Sequence, residues 1–88
     1  MNMAEGYKYS KQLLGKVVVS KNGKRFGEVS NVVFESRTGE LLQLVLKNPT
    51  IYCEGLDLEK DSVGNLLVPF SSVVAVGDYL VIAEEDII

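Results

Sequence analysis

Three compact turn signals divide this chain and constrain its fold more than any other feature. Asn22-Gly23 follows the β-branched run Val17-Val18-Val19, Ser36-Arg37-Thr38-Gly39 precedes Leu41 to Lys47, and Gly77-Asp78 separates Val73 to Val76 from Tyr79 to Ala83. Asn-Gly is a strong short hairpin signal, because both central residues of a type I′ turn need positive φ, and glycine first suits a type II′ turn. Turns this short join only antiparallel neighbours.

The segments between the turns read as strands. Arg25 to Glu35 carries Phe26, Val29, Val32 and Phe34. Steps of three among the first of these break the period of two, so a bulge or sharp bend is expected near Gly27 to Asn31. Leu42, Leu44 and Leu46 alternate with polar Gln43 and Lys47, which predicts one inward leucine face. Asn48-Pro49 stops that strand. Leu56 and Leu58 alternate with Asp57 and Glu59 as a brief edge strand, and Leu66 to Val68 is a short strand ended by Pro69. Ser10 before Lys11-Gln12-Leu13-Leu14, with Gly15 after, predicts one capped helical turn whose leucines enter the core. Ser71-Ser72 is a second single-turn candidate. The expected fold is all-β: a small, strongly bent antiparallel β-barrel of five to six strands with one or two single-turn helices.

With 88 residues there is room for one domain. Residues 1–9 read as a flexible lead-in, 10–84 as the barrel and 85–88 as an acidic tail. No apolar run approaches the roughly 20 residues of a membrane helix, and no signal peptide is visible, so a cytoplasmic setting is expected. The chain has no histidine and one cysteine, Cys53. That removes the Ser-His-Asp and Cys-His nucleophile systems, histidine metal sites and an internal disulfide. No catalytic residue, cofactor or metal site is assigned, and the chain is not expected to be an enzyme. Asp57, Glu59 and Asp61 have the spacing that opens a calcium loop, but Ser62 and Val68 stand where it needs glycine and glutamate. Cys53, beside Glu54 with no basic neighbour, is expected to be an inert thiol.

Charge is unevenly distributed. Residues 1–47 hold eight Lys or Arg against four acids, whereas residues 48–88 hold Lys60 against eight acids, for a net charge of −3. Lys16, Lys21, Lys24 and Arg25 are a candidate basic patch for RNA phosphates or an anionic membrane surface. The competing expectation is that folding interleaves the halves and mixes the signs.

Two stretches resemble the PRC-barrel family. The first is Leu14-Gly15-Lys16-Val17-Val18-Val19 with Gly23, followed by Phe26-Gly27-Glu28-Val29-Ser30-Asn31-Val32-Val33-Phe34, where Asn31 stands at a position that is usually Asp. The second runs from Leu67-Val68-Pro69-Phe70 through Ser71-Ser72-Val73-Val74-Ala75-Val76 to Gly77-Asp78-Tyr79-Leu80-Val81 and is similar to the closing segment of short stand-alone archaeal members. The resemblance implies a small barrel used as a binding module. Relatives form the cytoplasmic part of the photosynthetic reaction-centre H subunit and the C-terminal domain of a bacterial ribosome maturation factor. Some archaeal members look like cell-division adaptors that bind the membrane anchor of a tubulin-like ring. The chain lacks the H subunit's membrane helix and the factor's extra domain, which favours the short archaeal type.

The expected function is therefore that of a non-enzymatic adaptor for another protein, with a membrane-anchoring cell-division protein as the partner the resemblance suggests. The alternative is an RNA- or ribosome-associated module. The candidate interaction surface is Ile51, Tyr52, Leu56, Leu58, Ile87 and Ile88. Self-association through an edge, either the Leu56 to Glu59 segment or the C-terminal strand, would give a homodimer. Tyr79 is assigned to the barrel and Tyr52 to an exposed contact.

Overall fold

The computed structural model describes residues 11–87. The expectations placed on residues 1–9, on the Ser10 cap and on Ile88 lie outside them. Seven strands form one sheet: β1 (Val17–Ser20), β2 (Arg25–Phe34), β3 (Leu41–Lys47), β4 (Glu59–Lys60), β5 (Leu66–Pro69), β6 (Val73–Val76) and β7 (Tyr79–Ile82). Single 3-10 turns interrupt them: η1 (Ile51–Gly55), η2 (Phe70–Ser72) and η3 (Glu84–Asp86). The spatial order is β4-β5-β3-β2-β1-β7-β6.

All pairings are antiparallel except β1 with β7, which run parallel from Val17↔Tyr79 to Ser20↔Ile82. The expected five or six antiparallel strands thus become seven with one parallel pair. Turn chemistry specifies only strands adjacent in the chain, and no turn joins β1 to β7. The ladder also stays open, because its outermost strands, β4 and β6, share no rung. The sheet is nevertheless coiled around one interior. Val18, Phe26, Val29, Leu44, Val68, Leu80 and Ile82 belong to a single buried cluster with Leu13, Cys53 and Ile87. The smallest dimension of the molecule is 21 Å, about twice the ~10 Å between packed sheet layers.

β2 sets this curvature. Its register slips opposite Val18 and Val19, leaving Phe26 unmatched, and slips again between Val29 and Asn31, leaving Ser30 unmatched. The second slip falls in the expected bulge. Ser30 compensates by donating its hydroxyl to Val45 O at 3.1 Å. A third slip, across Val33 and Phe34, adds Leu42 to β3. One extra residue reverses which face a side chain takes. Leu41 is therefore buried and Leu42 is exposed, a correction to the expected leucine face. Leu13 enters the core but Leu14 stays exposed.

The turns hold with altered chemistry. In the β1–β2 hairpin only Gly23 has positive φ, at 84°. Ser20 Oγ accepts from the N–H groups of Asn22 and Lys24, so the loop spans three residues and Asn22 needs no left-handed backbone. Gly39, at φ 73°, closes the second hairpin as expected. Gly77 is not left-handed, so the last turn is not type II′; its N–H donates to Tyr79 O at 3.0 Å. The C-terminal strand β7 is internal, and the true edges are β4 and β6. The Leu56 to Glu59 edge strand is displaced to Glu59–Lys60.

Gly27 is where glycine is required. Its φ is +156°, and a Cβ there would lie 2.9 Å from Lys47 O and 3.4 Å from Pro49 Cα. Both contacts are with backbone, which yields little. Gly27→Ala is expected to destabilise the fold by about 2–4 kcal/mol. Gly55→Ala, which meets nothing within 4 Å, should change it by less than about 0.5 kcal/mol. Urea unfolding followed by circular dichroism checks both.

Candidate functional site

The segment after β3 builds the first candidate surface. Asn48 takes positive φ, at 51°, and Pro49 follows, turning the chain back over β2. Thr50 then caps η1: its hydroxyl accepts from Tyr52 N and donates to Arg25 O, and its N–H donates to Phe26 O at 3.0 Å. Cys53, 7% exposed, anchors the turn from below, its thiol donating to Phe26 O at 3.1 Å. Desolvation raises the Cys53 pKa, against a smaller opposing effect of its backbone hydrogen bond with Thr50. A thiol held in this way is a weak nucleophile.

Anchored at both ends, η1 projects Ile51 and Tyr52, which are 73% and 51% exposed. Beside them lies an open pocket of about 390 Å³ lined by Pro49, Cys53, Leu56, Leu58 and Leu66, with Thr50, Glu54 and Lys60. Four residues of the sequence-derived interaction surface thus gather in one place: Ile51 and Tyr52 as protrusions, Leu56 and Leu58 as half-buried lining. Ile87 does not join them; it is buried in the chain's own core, so its side chain is not free for a partner. The acidic stretch before it forms η3, whose Glu85 and Asp86 are exposed, and the preceding Ala83 N–H donates to Ser72 O at 2.8 Å.

The candidate basic patch is largely paired. Lys21 Nζ meets Glu85 Oε1 at 2.9 Å, Lys24 meets Glu84 at 3.4 Å and Arg25 meets Glu28 at 3.9 Å. Lys16 Nζ donates to Gly77 O. The hydrogen bond with Glu85 raises the Lys21 pKa, and the same bond, accepted from Lys21, lowers that of Glu85. Folding therefore mixes the signs, as the competing expectation held.

Sequence reasoning missed a second surface. β1 alternates with Val18 and Ser20 inward, and β7 alternates with Leu80 and Ile82 inward. Their registered partners Val17↔Tyr79 and Val19↔Val81 therefore share the outer face, joined by Ala75 opposite Val81. Tyr79, assigned to the barrel, points outward and is 56% exposed. The available signal was the lack of alternation: Val17-Val18-Val19 and Tyr79-Leu80-Val81-Ile82 are apolar on both faces, the pattern of strands covered on both sides.

The calcium-loop acids serve the backbone. Asp61 accepts from Val63 N, Asn65 N and Asn65 Nδ2 at 2.9–3.1 Å, closing the turn before β5. Glu59 accepts from Gln43 Nε2 at 2.9 Å. Among the described residues no group of three His, Cys, Asp or Glu is placed to hold a metal, and no helix is long and apolar enough to cross a membrane.

A coiled, incompletely closed all-β sheet with exposed apolar surfaces defines the class. A family model for the PRC-barrel domain matches residues 5–86, and the chain belongs to that family. It is also similar to an uncharacterized protein of Methanocaldococcus jannaschii, MJ1118. The two are 27% identical over 78 residues, which span 89% of this chain and 83% of that protein.

The Asp61 pKa is lowered, first by the backbone hydrogen bond from Asn65. A carboxylate with a depressed folded pKa contributes stability above its unfolded pKa and loses it as pH falls through the folded one. Asp61→Ala should therefore melt below wild type at pH 7, and the gap should shrink as pH falls below about 4. Thermal melts across pH 3–7 check this.

Proposed function

We propose that this chain is a non-catalytic adaptor that binds another protein through η1 and the adjoining pocket. One observation carries the reading: Ile51 and Tyr52 stand exposed on a turn fixed to β2, next to an apolar hollow floored by Leu56, Leu58 and Leu66. A rigid aromatic anchor beside a desolvatable pocket is the usual anatomy of a binding hot spot. A preformed turn also loses little conformational entropy when it docks. The pocket's few polar side chains, Thr50, Glu54 and Lys60, include neither histidine nor a carboxylate pair, and general acid–base chemistry needs a positioned group of that kind.

Family membership supports a binding role and leaves the partner open. A membrane-anchoring cell-division protein is the specific partner suggested by the likeness to short archaeal members. The RNA- or ribosome-associated alternative loses its main support, because Lys21, Lys24 and Arg25 are already engaged by carboxylates.

The test is capture from native extract by the tagged full chain, with and without nuclease. A protein partner retained after nuclease treatment, and depleted at least tenfold by Tyr52→Glu or Ile51→Lys, is the expected result. Loss on nuclease treatment, or equal capture by both variants, overturns it.

A further inference from the structure

The apolar hollow beside η1 lies in a strongly acidic stretch of the chain. From Pro49 to Asp61 there are four carboxylates, Glu54, Asp57, Glu59 and Asp61, against one cation, Lys60. That surplus of three matches the net charge of the whole chain, −3. The ion pairs among the described residues lie elsewhere, at the β1–β2 hairpin, and leave this stretch unneutralised. Glu54 and Asp57 are exposed and have no salt-bridge partner among the described residues. Glu59 and Asp61 accept from neutral donors, the Gln43 amide and the N–H groups of Val63 and Asn65, so no cation offsets their charge.

Apolar and acidic side chains alternate along residues 56–59. Leu56 and Leu58 line the apolar hollow, with Glu54 and Lys60 also in its wall. Asp57 and Glu59 instead line a smaller hollow of about 150 Å³, where Asp86 adds a third carboxylate. The apolar hollow is thus flanked by unengaged negative charge.

Resting on the adaptor reading, we propose that this hollow receives one large apolar side chain from a basic segment of the partner protein, whose flanking Lys or Arg side chains meet Glu54, Asp57 and Glu59. The two parts of the site do different work. Removing the apolar side chain from water against Leu56, Leu58 and Leu66 supplies affinity. The carboxylates around a low-dielectric hollow concentrate the field there, attract a cationic segment and repel an acidic or phosphate-bearing one. Exposed Tyr52 adds an aromatic face on which a guanidinium can stack. Lys60 is the one discordant charge, so its removal should strengthen binding, an effect that loss of structure would not produce.

The chain has no tryptophan, so a peptide that carries one reports its own burial. The probe is a peptide with one tryptophan flanked by two arginines on each side, titrated into the full chain. The expected result is saturable binding that weakens as salt is added, a blue shift of the tryptophan emission, and amide NMR shifts concentrated in residues 50–60. Affinity should fall at least fivefold with Glu54→Lys, rise about two- to fivefold with Lys60→Gln, and stay within about twofold with Asp78→Asn, which removes a carboxylate from the β6–β7 turn. Alanine in place of the probe's tryptophan should abolish the shifts at Leu56 and Leu58. Far-UV circular dichroism confirms that the variants, all at exposed positions, are folded. No binding at millimolar peptide, equal binding of a probe with glutamates for its arginines, shifts centred outside residues 50–60, or indifference to both Glu54→Lys and Lys60→Gln overturns the proposal. The two readings fail separately. Capture of a protein that depends on Tyr52, with no binding of the basic probe, removes this proposal and leaves the adaptor reading. Probe binding at the hollow, with extract capture indifferent to Tyr52→Glu and Ile51→Lys, does the reverse.

Discussion

The two carbonyls at the first bulge of β2 hold the molecule together. Where Phe26 drops out of register with β1, the Arg25 and Phe26 carbonyls become available to the chain that returns after β3. Phe26 O takes the Thr50 N–H and the Cys53 thiol, and Arg25 O takes the Thr50 hydroxyl. A buried carbonyl without a donor would cost about 1–3 kcal/mol, so bulge and loop stabilise each other. The Phe26 side chain, fully buried, fills the interior beneath the same point. Gly27 follows because the returning backbone passes too close for a Cβ. Curvature of the sheet, placement of η1 and the exposed position of Tyr52 all derive from this junction.

That junction also marks the limit of what the sequence could reveal. The strands, the second hairpin and the bend in β2 were legible because glycine positions and broken periodicity are local signals. The slip that turned Leu42 outward was not, because it depends on which β3 residue Phe34 meets across the ladder. The β1–β7 pair was equally hidden: about 60 residues separate its members, and no turn encodes a contact of that range. Residues 48–65 resisted reading for a related reason. Residues 48–53 are ordered by contacts with β2, and residues 59–65 by pairing with β5 and by the Asp61 carboxylate, not by any periodicity of their own.

Charge gives the clearest case of tertiary structure overriding composition. A basic first half and an acidic second half suggest two opposed surfaces. The fold instead carries Glu84 and Glu85 back across the β1–β2 hairpin to Lys24 and Lys21. These pairs are exposed and screened by solvent, so they add little to stability. Their effect is on recognition: they remove a cationic stretch that phosphates would otherwise find, and leave a neutral frame in its place. Ile87, buried just beyond the acids, fixes the segment by packing and makes the pairing geometric rather than statistical.

The candidate site divided in the same way. Ile51, Tyr52, Leu56 and Leu58 were recoverable because apolar side chains in a segment without strand or helix period must either find a hollow or remain exposed, and here they do both. The outer face of β1 and β7 was written in the sequence just as plainly, as two runs without polar interruption, but its meaning depended on knowing that the runs are neighbours. Placed side by side and in register, half-buried Val17, Val19 and Val81 and exposed Tyr79 share one outer face. β1 and β7 are the one parallel pair of the sheet, and parallel strands commonly carry apolar residues on both faces.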